Sequence, residues 1–323
     1  MPSIPDHQPS PSCALRRFAW SFLVYSILVI LWGTVVRATG AGAGCGDHWP
    51  LCNGTMVQHS PTLNTLIELG HRATSGLSLL GVLVLFVWTW RGTVAGHLAR
   101  KAATASLFFM ILEAILGAML VLLGLTAQSQ SPLRAPYLAL HLTNTLLLLA
   151  ALTLTAHLLS RRRGFLSRDV RLVSPANTLI GVFIVMIVGV TGSLAALGDT
   201  LFPPASLNNA FYRDFAADSE WLVRWRWTHP TIAVLASIFL IWILIRAVKR
   251  SGTGNVWNNR ALSITVLALL TVQYLLGALN IALLAPIWMQ VLHLLGADIL
   301  WCSLVVLTAR LTLAPKSAEY IRS

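Results

Sequence analysis

Charge is nearly absent from eight stretches of this chain, and polar residues gather in the short segments between them. These runs cover residues 18–36, 73–90, 102–123, 137–160, 172–197, 227–245, 261–284 and 287–311. Only Glu113 interrupts the third, and Pro286 marks a turn before the eighth. A helix rising about 1.5 Å per residue crosses a hydrocarbon core of about 30 Å in about 20 residues, so each run is read as one membrane span. The first run is followed by Ala-Thr-Gly-Ala-Gly-Ala-Gly, which resembles a signal-peptidase site. At 19 residues it exceeds the usual signal core of about 7–15, so it is read as a retained helix.

Composition agrees. Of 323 residues, 56% are hydrophobic and 11% charged, against about 25% charged in soluble domains. This excludes a disordered chain, a coiled coil and an ordinary cytosolic enzyme. A net charge of +12 would suggest nucleic acid in a soluble protein. Here 17 of the 23 Lys and Arg residues fall on one side of the expected membrane, so nucleic acid is set aside. The positive-inside rule places both termini in the cytoplasm of a bacterial inner membrane, with loops 38–65, 125–136 and 198–222 outside. The Pro-rich residues 1–15 are expected to form a disordered tail.

The two halves resemble each other. Thr39-Gly40 pairs with Thr191-Gly192, Gly46-Asp47 with Gly198-Asp199, Glu113 with Gln273, His141 with His293 and His71 with His229. Four spans per unit make the repeats parallel, related by a pseudo-two-fold along the membrane normal. The expected fold is therefore an all-α integral membrane protein with eight transmembrane helices in two tandem four-helix bundles, residues 16–165 and 166–323.

Nine histidines are present. His7, His48, His59, His97 and His157 fall in tails, loops or near a helix end and are expected to be solvated. His71, His141, His229 and His293 lie one to two turns into even-numbered spans, at one depth in the outer part of the membrane. An ionisable side chain there points to function. Zinc would want further Cys, Asp or Glu ligands. Two histidines inside an apolar bundle suit haem, whose ring supplies the other nitrogens. Arg37, Arg72, Arg134, Arg224 and Arg226 cluster near outer span ends and are candidate partners of haem propionates, or interfacial anchors.

Three features break the repeat. Glu68 precedes His71 by three residues and shares its helix face, whereas Arg226 precedes His229. Cys45 and Cys52 flank an outer-loop segment that has no cysteines in the second half. In a disulfide-permissive compartment they are a structural or a redox-active pair. Cys13 and Cys302 are read as bystanders. Glu113 and Asp298 are intramembrane carboxylates, open to structural hydrogen bonding or proton transfer.

The runs Gly33-Thr-Val-Val-Arg37-Ala-Thr39-Gly40, Cys45-Gly-Asp-His-Trp-Pro-Leu-Cys52 and Glu68-Leu-Gly-His71-Arg72 resemble the haem A synthase family of bacteria and mitochondria over nearly the whole chain. The resemblance implies oxidation of the C8 methyl of haem O to a formyl group by two hydroxylations and loss of water, giving haem A for terminal oxidases. It implies that His71 and His141 hold substrate haem O, that His229 and His293 hold a haem b cofactor, and that Glu68 is the catalytic acidic residue. It likens Cys45–Cys52 to the disulfide of cysteine-bearing members. Some members carry a second cysteine pair; 201–207 has none, which leaves a thiol relay between the halves without its partner. Expected partners are haem O and haem A, a haem O synthase, an unidentified electron donor and membrane lipid, with homo-oligomerisation open. The alternatives are a multi-haem electron-transfer cytochrome of the b561 type, which places its haems near opposite faces, and a haem or quinone transporter.

Overall fold

The computed structural model describes residues 11–55, 58–161, 170–172, 175–250 and 256–315. The expected tail and His7 lie largely or wholly outside them. Ten helices follow in order: α1 Cys13–Ala38, α2 Leu63–Gly92, α3 Leu98–Leu122, α4 Arg134–Leu159, α5 Pro175–Leu201, α6 Leu207–Phe215, α7 Trp221–Arg224, α8 Thr228–Arg250, α9 Val256–Ala282 and α10 Ile287–Thr312. A three-residue strand β1, Val170–Leu172, pairs antiparallel with β2, Leu313–Pro315, a small addition to the all-helical expectation.

Among the described residues seven helices are long and apolar enough to cross a membrane, α1–α5, α9 and α10. The protein is a multi-pass membrane protein. Helix α8, 23 residues long, occupies the place of the sixth expected span. Polar starts lengthen several helices. Ser12 and Thr62 accept backbone N–H bonds from Leu15 and Thr65, so α1 and α2 begin five and ten residues before their uncharged runs. Cys13 is thus helical rather than part of a tail.

Helices α1, α2, α3 and α4 pack in a closed ring, each against the next and α4 back on α1; α5, α8, α9 and α10 do the same. Helix α4 also packs on α5 and α10, and α1 on α10, so α4 is the central element. Its face carries Leu148, Leu149, Leu152 and Ala156, all buried. Trp301 of α10 crosses this seam and donates from its indole nitrogen to Leu146 O at 2.8 Å. Intramembrane hydroxyls close back on their own helices: Thr143, Thr153 and Thr155 each donate to the carbonyl four residues earlier. Leu28, Phe108, Phe183, Leu235 and Leu275 stand more than half exposed on the outside. Water would penalise that surface; lipid solvates it.

Candidate functional site

The second ring brings His229 and His293 together edge to face. Their ring centroids are 6.4 Å apart and their planes 88° from parallel. Two imidazoles on one metal, with metal–nitrogen bonds of about 2.0 Å and roughly 1.1 Å from nitrogen to ring centre, would stand about 6.2 Å apart. His229 Nδ1 lies 3.2 Å from Val188 O and 3.4 Å from Thr191 Oγ1. Donating its N–H there leaves Nε2 as the ligand, the usual arrangement for a metal-bound histidine. Gln273 donates to His293 O at 3.0 Å and its amide lies 3.2 Å from His293 Nδ1. Glycines make room for both rings. A Cβ on Gly192 would come 2.9 Å from His229 Cε1, and one on Gly277 3.2 Å from His293 Cε1. His229 is the second residue of α8, nearer the helix start than expected, because the preceding turn is made by α7.

The first ring repeats these contacts. Gly33 faces His71, where a Cβ would stand 3.0 Å from Cε1, and Gly117 faces His141 at 3.8 Å. Gly33 rather than Gly40 is therefore the counterpart of Gly192. Gly40 instead takes a left-handed turn with φ 71° after α1. Glu113 Oε1 lies 3.5 Å from His141 Nδ1, in the place Gln273 holds beside His293. Asn144 and Thr145 donate to the Glu113 carboxylate. Nδ1 of His71 is buried without a hydrogen bond among the described residues, and Nδ1 of His141 has the Glu113 carboxylate as its neighbour. Among the described residues no cluster of three or more His, Cys, Asp or Glu side chains is disposed to hold a bare metal ion, so paired imidazoles on a macrocycle fit the donor set better.

Above His71 sits a fixed network. Glu68 is 3% exposed, which excludes a helix-start charge facing water. Its Oε1 accepts from Arg72 Nε at 3.1 Å and Nη2 at 2.6 Å, and its Oε2 accepts from the Cys45 N–H at 2.8 Å. Arg72 Nη1 also donates to His48 O and Leu51 O. Cys45 and Cys52 are joined in a disulfide. Gly44 lets this loop settle on α2, since a Cβ there would overlap the backbone of Asn64, and Thr65 Oγ1 donates to Gly44 O at 2.8 Å.

Residues 16–305 match the family described as cytochrome oxidase assembly protein, COX15-CtaA. The chain belongs to this family. A Thermus thermophilus protein named protoheme IX farnesyltransferase is 42% identical over 308 residues, covering 94% of this chain and 50% of that protein. The chain thus spans about half the length of the Thermus relatives it matches. A Bacillus cereus protein named heme A synthase is 30% identical over 322 residues, covering 94% of this chain and 98% of its own. A Lysinibacillus sphaericus heme A synthase is 28% identical over 321 residues, covering 92% and 95%.

Within this family frame the five outer arginines separate. Arg72 is spent on Glu68 and the disulfide loop. Arg226 donates to Asp214 at 2.7 Å and Asp199 at 2.9 Å, tying α6 to α5. Arg224 is exposed. Arg37 and Arg134 face the seam between the rings and are taken up below. Two histidines depart from the solvated expectation. His97 is 4% exposed because its Nδ1 folds back to accept the Ala99 N–H at the start of α3. His157 is 6% exposed in the last turn of α4, within the field of Arg161 and Arg310. His48 and His59 are exposed as expected. Asp298 is 2% exposed, and its Oδ2 has no hydrogen bond among the described residues. Cys302 sits in α10 with its Sγ 3.2 Å from Thr153 Oγ1. The glycine seats were legible only as glycines inside apolar runs, a signal for close approach without a stated partner.

Proposed function

We propose that the protein is a haem A synthase, a membrane oxidoreductase converting the C8 methyl of haem O to a formyl group. The observation that carries this reading is the pairing of two histidine sites, one spaced for a single iron and the other overlain by a buried Glu68 held by Arg72 and the Cys45 N–H. Family membership and the heme A synthase of Bacillus cereus, matched over almost its full length, support it. In this reading His229 and His293 hold a resident haem b, which would supply one-electron chemistry. His71 and His141 hold the substrate haem O. Glu68 is the catalytic carboxylate: a methyl carbon undergoing oxidation loses electron density, and a fixed negative charge stabilises that change without reorganising. The Arg72 and Cys45 bonds supply the fixing.

The architecture proposed with it has eight spans, α8 included, in two four-helix domains, residues 16–165 and 166–323, related by a pseudo-two-fold along the membrane normal. The matched Gly–His contacts of the two rings support this. Both termini lie in the cytoplasm and the sites in the outer half of the inner membrane. A protohaem farnesyltransferase supplies haem O, a link supported by the name of the Thermus relative that is about twice as long.

The test is co-expression with a haem O synthase in a host lacking haem A, followed by chromatography of extracted haems. Haem A appearing only when both are present supports the reading. Haem b alone marks an electron-transfer cytochrome. Haem O formed without the partner synthase marks the farnesyltransferase activity of the longer relatives.

A further inference from the structure

Of the five candidate arginines, Arg37 and Arg134 are the two that are not exposed and have no ion pair among the described residues. Arg134 opens α4 and is 2% exposed. It donates from Nη1 to Ser129 O at 2.9 Å, and its Nε is buried without a partner. Arg37 is half-buried near the end of α1 and donates only to neutral acceptors: Ala196 O at 2.8 Å, Thr200 Oγ1 at 2.6 Å and Gln290 Oε1 at 2.7 Å. Gln290 is itself fixed by donating to Ala285 O at 2.6 Å. The charge of Arg134 acts on Arg37. The acid that acts on Arg37, Asp199, is bound by Arg226. A buried guanidinium with no ion pair, beside a half-buried one whose nearest acid is bound by Arg226, is costly unless a ligand brings the opposite charge.

Their positions say where that ligand lies. Arg37 follows Gly33, the seat of His71, by four residues, about 6 Å outward on the same face of α1. Arg134 precedes His141 by seven residues, two turns and about 10 Å outward on the same face of α4. Arg134 therefore stands outward of His141 on the same helix, and Arg37 stands outward of the seat of His71 with its side chain on the seam, bonded to α5 and α10. The matched positions in the second half carry Ala196 and Pro286, so that half has no such pair of its own. Arg37 also reaches across the seam to residues one turn outward of Gly192 and His293.

We propose that Arg37 and Arg134 form one carboxylate-binding subsite on the seam, taking a propionate of the haem held by His71 and His141, and that Arg37 thereby ties loading of that haem to the seating of α5 and α10. This rests on the haem reading above and narrows the five candidate arginines to two.

The test titrates the purified full-length protein, carrying its resident haem, with haem and with haem dimethyl ester, whose carboxylates are blocked. Absorbance reads binding, and His71→Ala identifies the titration that belongs to the first half. Charge-assisted hydrogen bonds of this kind correspond to about a tenfold to hundredfold preference for the free acid. That preference should collapse in Arg134→Gln and in Arg37→Gln, recover partly in Arg134→Lys, and persist in Arg224→Gln. Arg37→Gln should also loosen the seam, seen as a lower unfolding temperature of the second-half haem spectrum; Arg134→Gln should not. Should a Gln variant fail to fold, the wild-type comparison of acid and ester with the Lys variant still decides. Equal affinity for acid and ester in the wild type, or an unchanged preference in both Gln variants, overturns the subsite and leaves the enzyme reading intact. Absence of any His71-dependent haem binding overturns the reading beneath it.

Discussion

Adding one methyl group at Gly192 sets two effects against each other. In an unobstructed helix interior, Gly→Ala stabilises by about 1 kcal/mol. Here the new Cβ would stand 2.9 Å from His229 Cε1, whereas carbon atoms in contact prefer about 3.5–4.0 Å. The overlap is about 0.6 Å or more, and the ring cannot retreat freely because its Nδ1 is held near Val188 O. Overpacking of this size typically costs about 1–3 kcal/mol. If the strain is relieved by the imidazole leaving its place, that is roughly a fivefold to 150-fold loss of haem affinity at the His229–His293 site. Gly117 provides the internal control, since a Cβ there meets His141 Cε1 at an ordinary 3.8 Å. Each variant is purified, and its low-spin haem absorbance and thermal unfolding are compared with the wild type. Gly192→Ala should lose the second-half haem spectrum while Gly117→Ala keeps its haem. A Gly192→Ala protein with full haem occupancy and an unfolding temperature equal to or above the wild type would refute the reasoning.

Glu68→Gln should retain haem but lower haem A yield about 10² to 10³-fold, read by chromatography at equal protein level; near-normal yield would remove Glu68 from catalysis. Arg72→Gln should produce a similar fall, together with protease cleavage at 46–51, because the loop loses the donor to His48 O and Leu51 O; a resistant loop would show that Arg72 does not hold it. Alkylation of unreduced protein should label Cys13 and leave Cys45 and Cys52 unmodified, and two extra labelled thiols would contradict the disulfide. His97 caps α3 through an unprotonated Nδ1, and burial, aided by Arg100, lowers its pKa below the ordinary 6.5. The cap's contribution is full above pH 6.5 and is lost as pH falls through the lower folded value. Hydrogen exchange at the Ala99 amide, corrected for intrinsic rate, should therefore rise on acidification in the wild type and not in His97→Asn, whose cap does not titrate.

Most of the architecture was legible along the chain because lipid makes a simple demand. A backbone in hydrocarbon must bond to itself, and its side chains must be apolar. Runs such as 137–160 and 287–311 therefore mark α4 and α10 within a few residues. Helix starts were less legible. Thr62 lets α2 begin ten residues before its uncharged run, through a cap that hydropathy does not register. The matched histidines pointed to two sites because ionisable groups are rare at that depth.

By itself the sequence determined the helical membrane fold, the four intramembrane histidines, the Glu68–His71 spacing and the cysteine pair, since each depends on local composition or on helix periodicity. The tertiary structure decided what those groups touch. It joined Glu68 to Cys45, 23 residues away, and Arg37 to Gln290, 253 residues away. It buried His97 and His157 where position along the chain implied water. It replaced Gly40 by Gly33 as the partner of Gly192, because the true equivalence lies in which glycine faces a histidine ring. Such pairings follow from how helices cross and from the direction each side chain leaves its helix, and neither is written in the hydropathy of a single span.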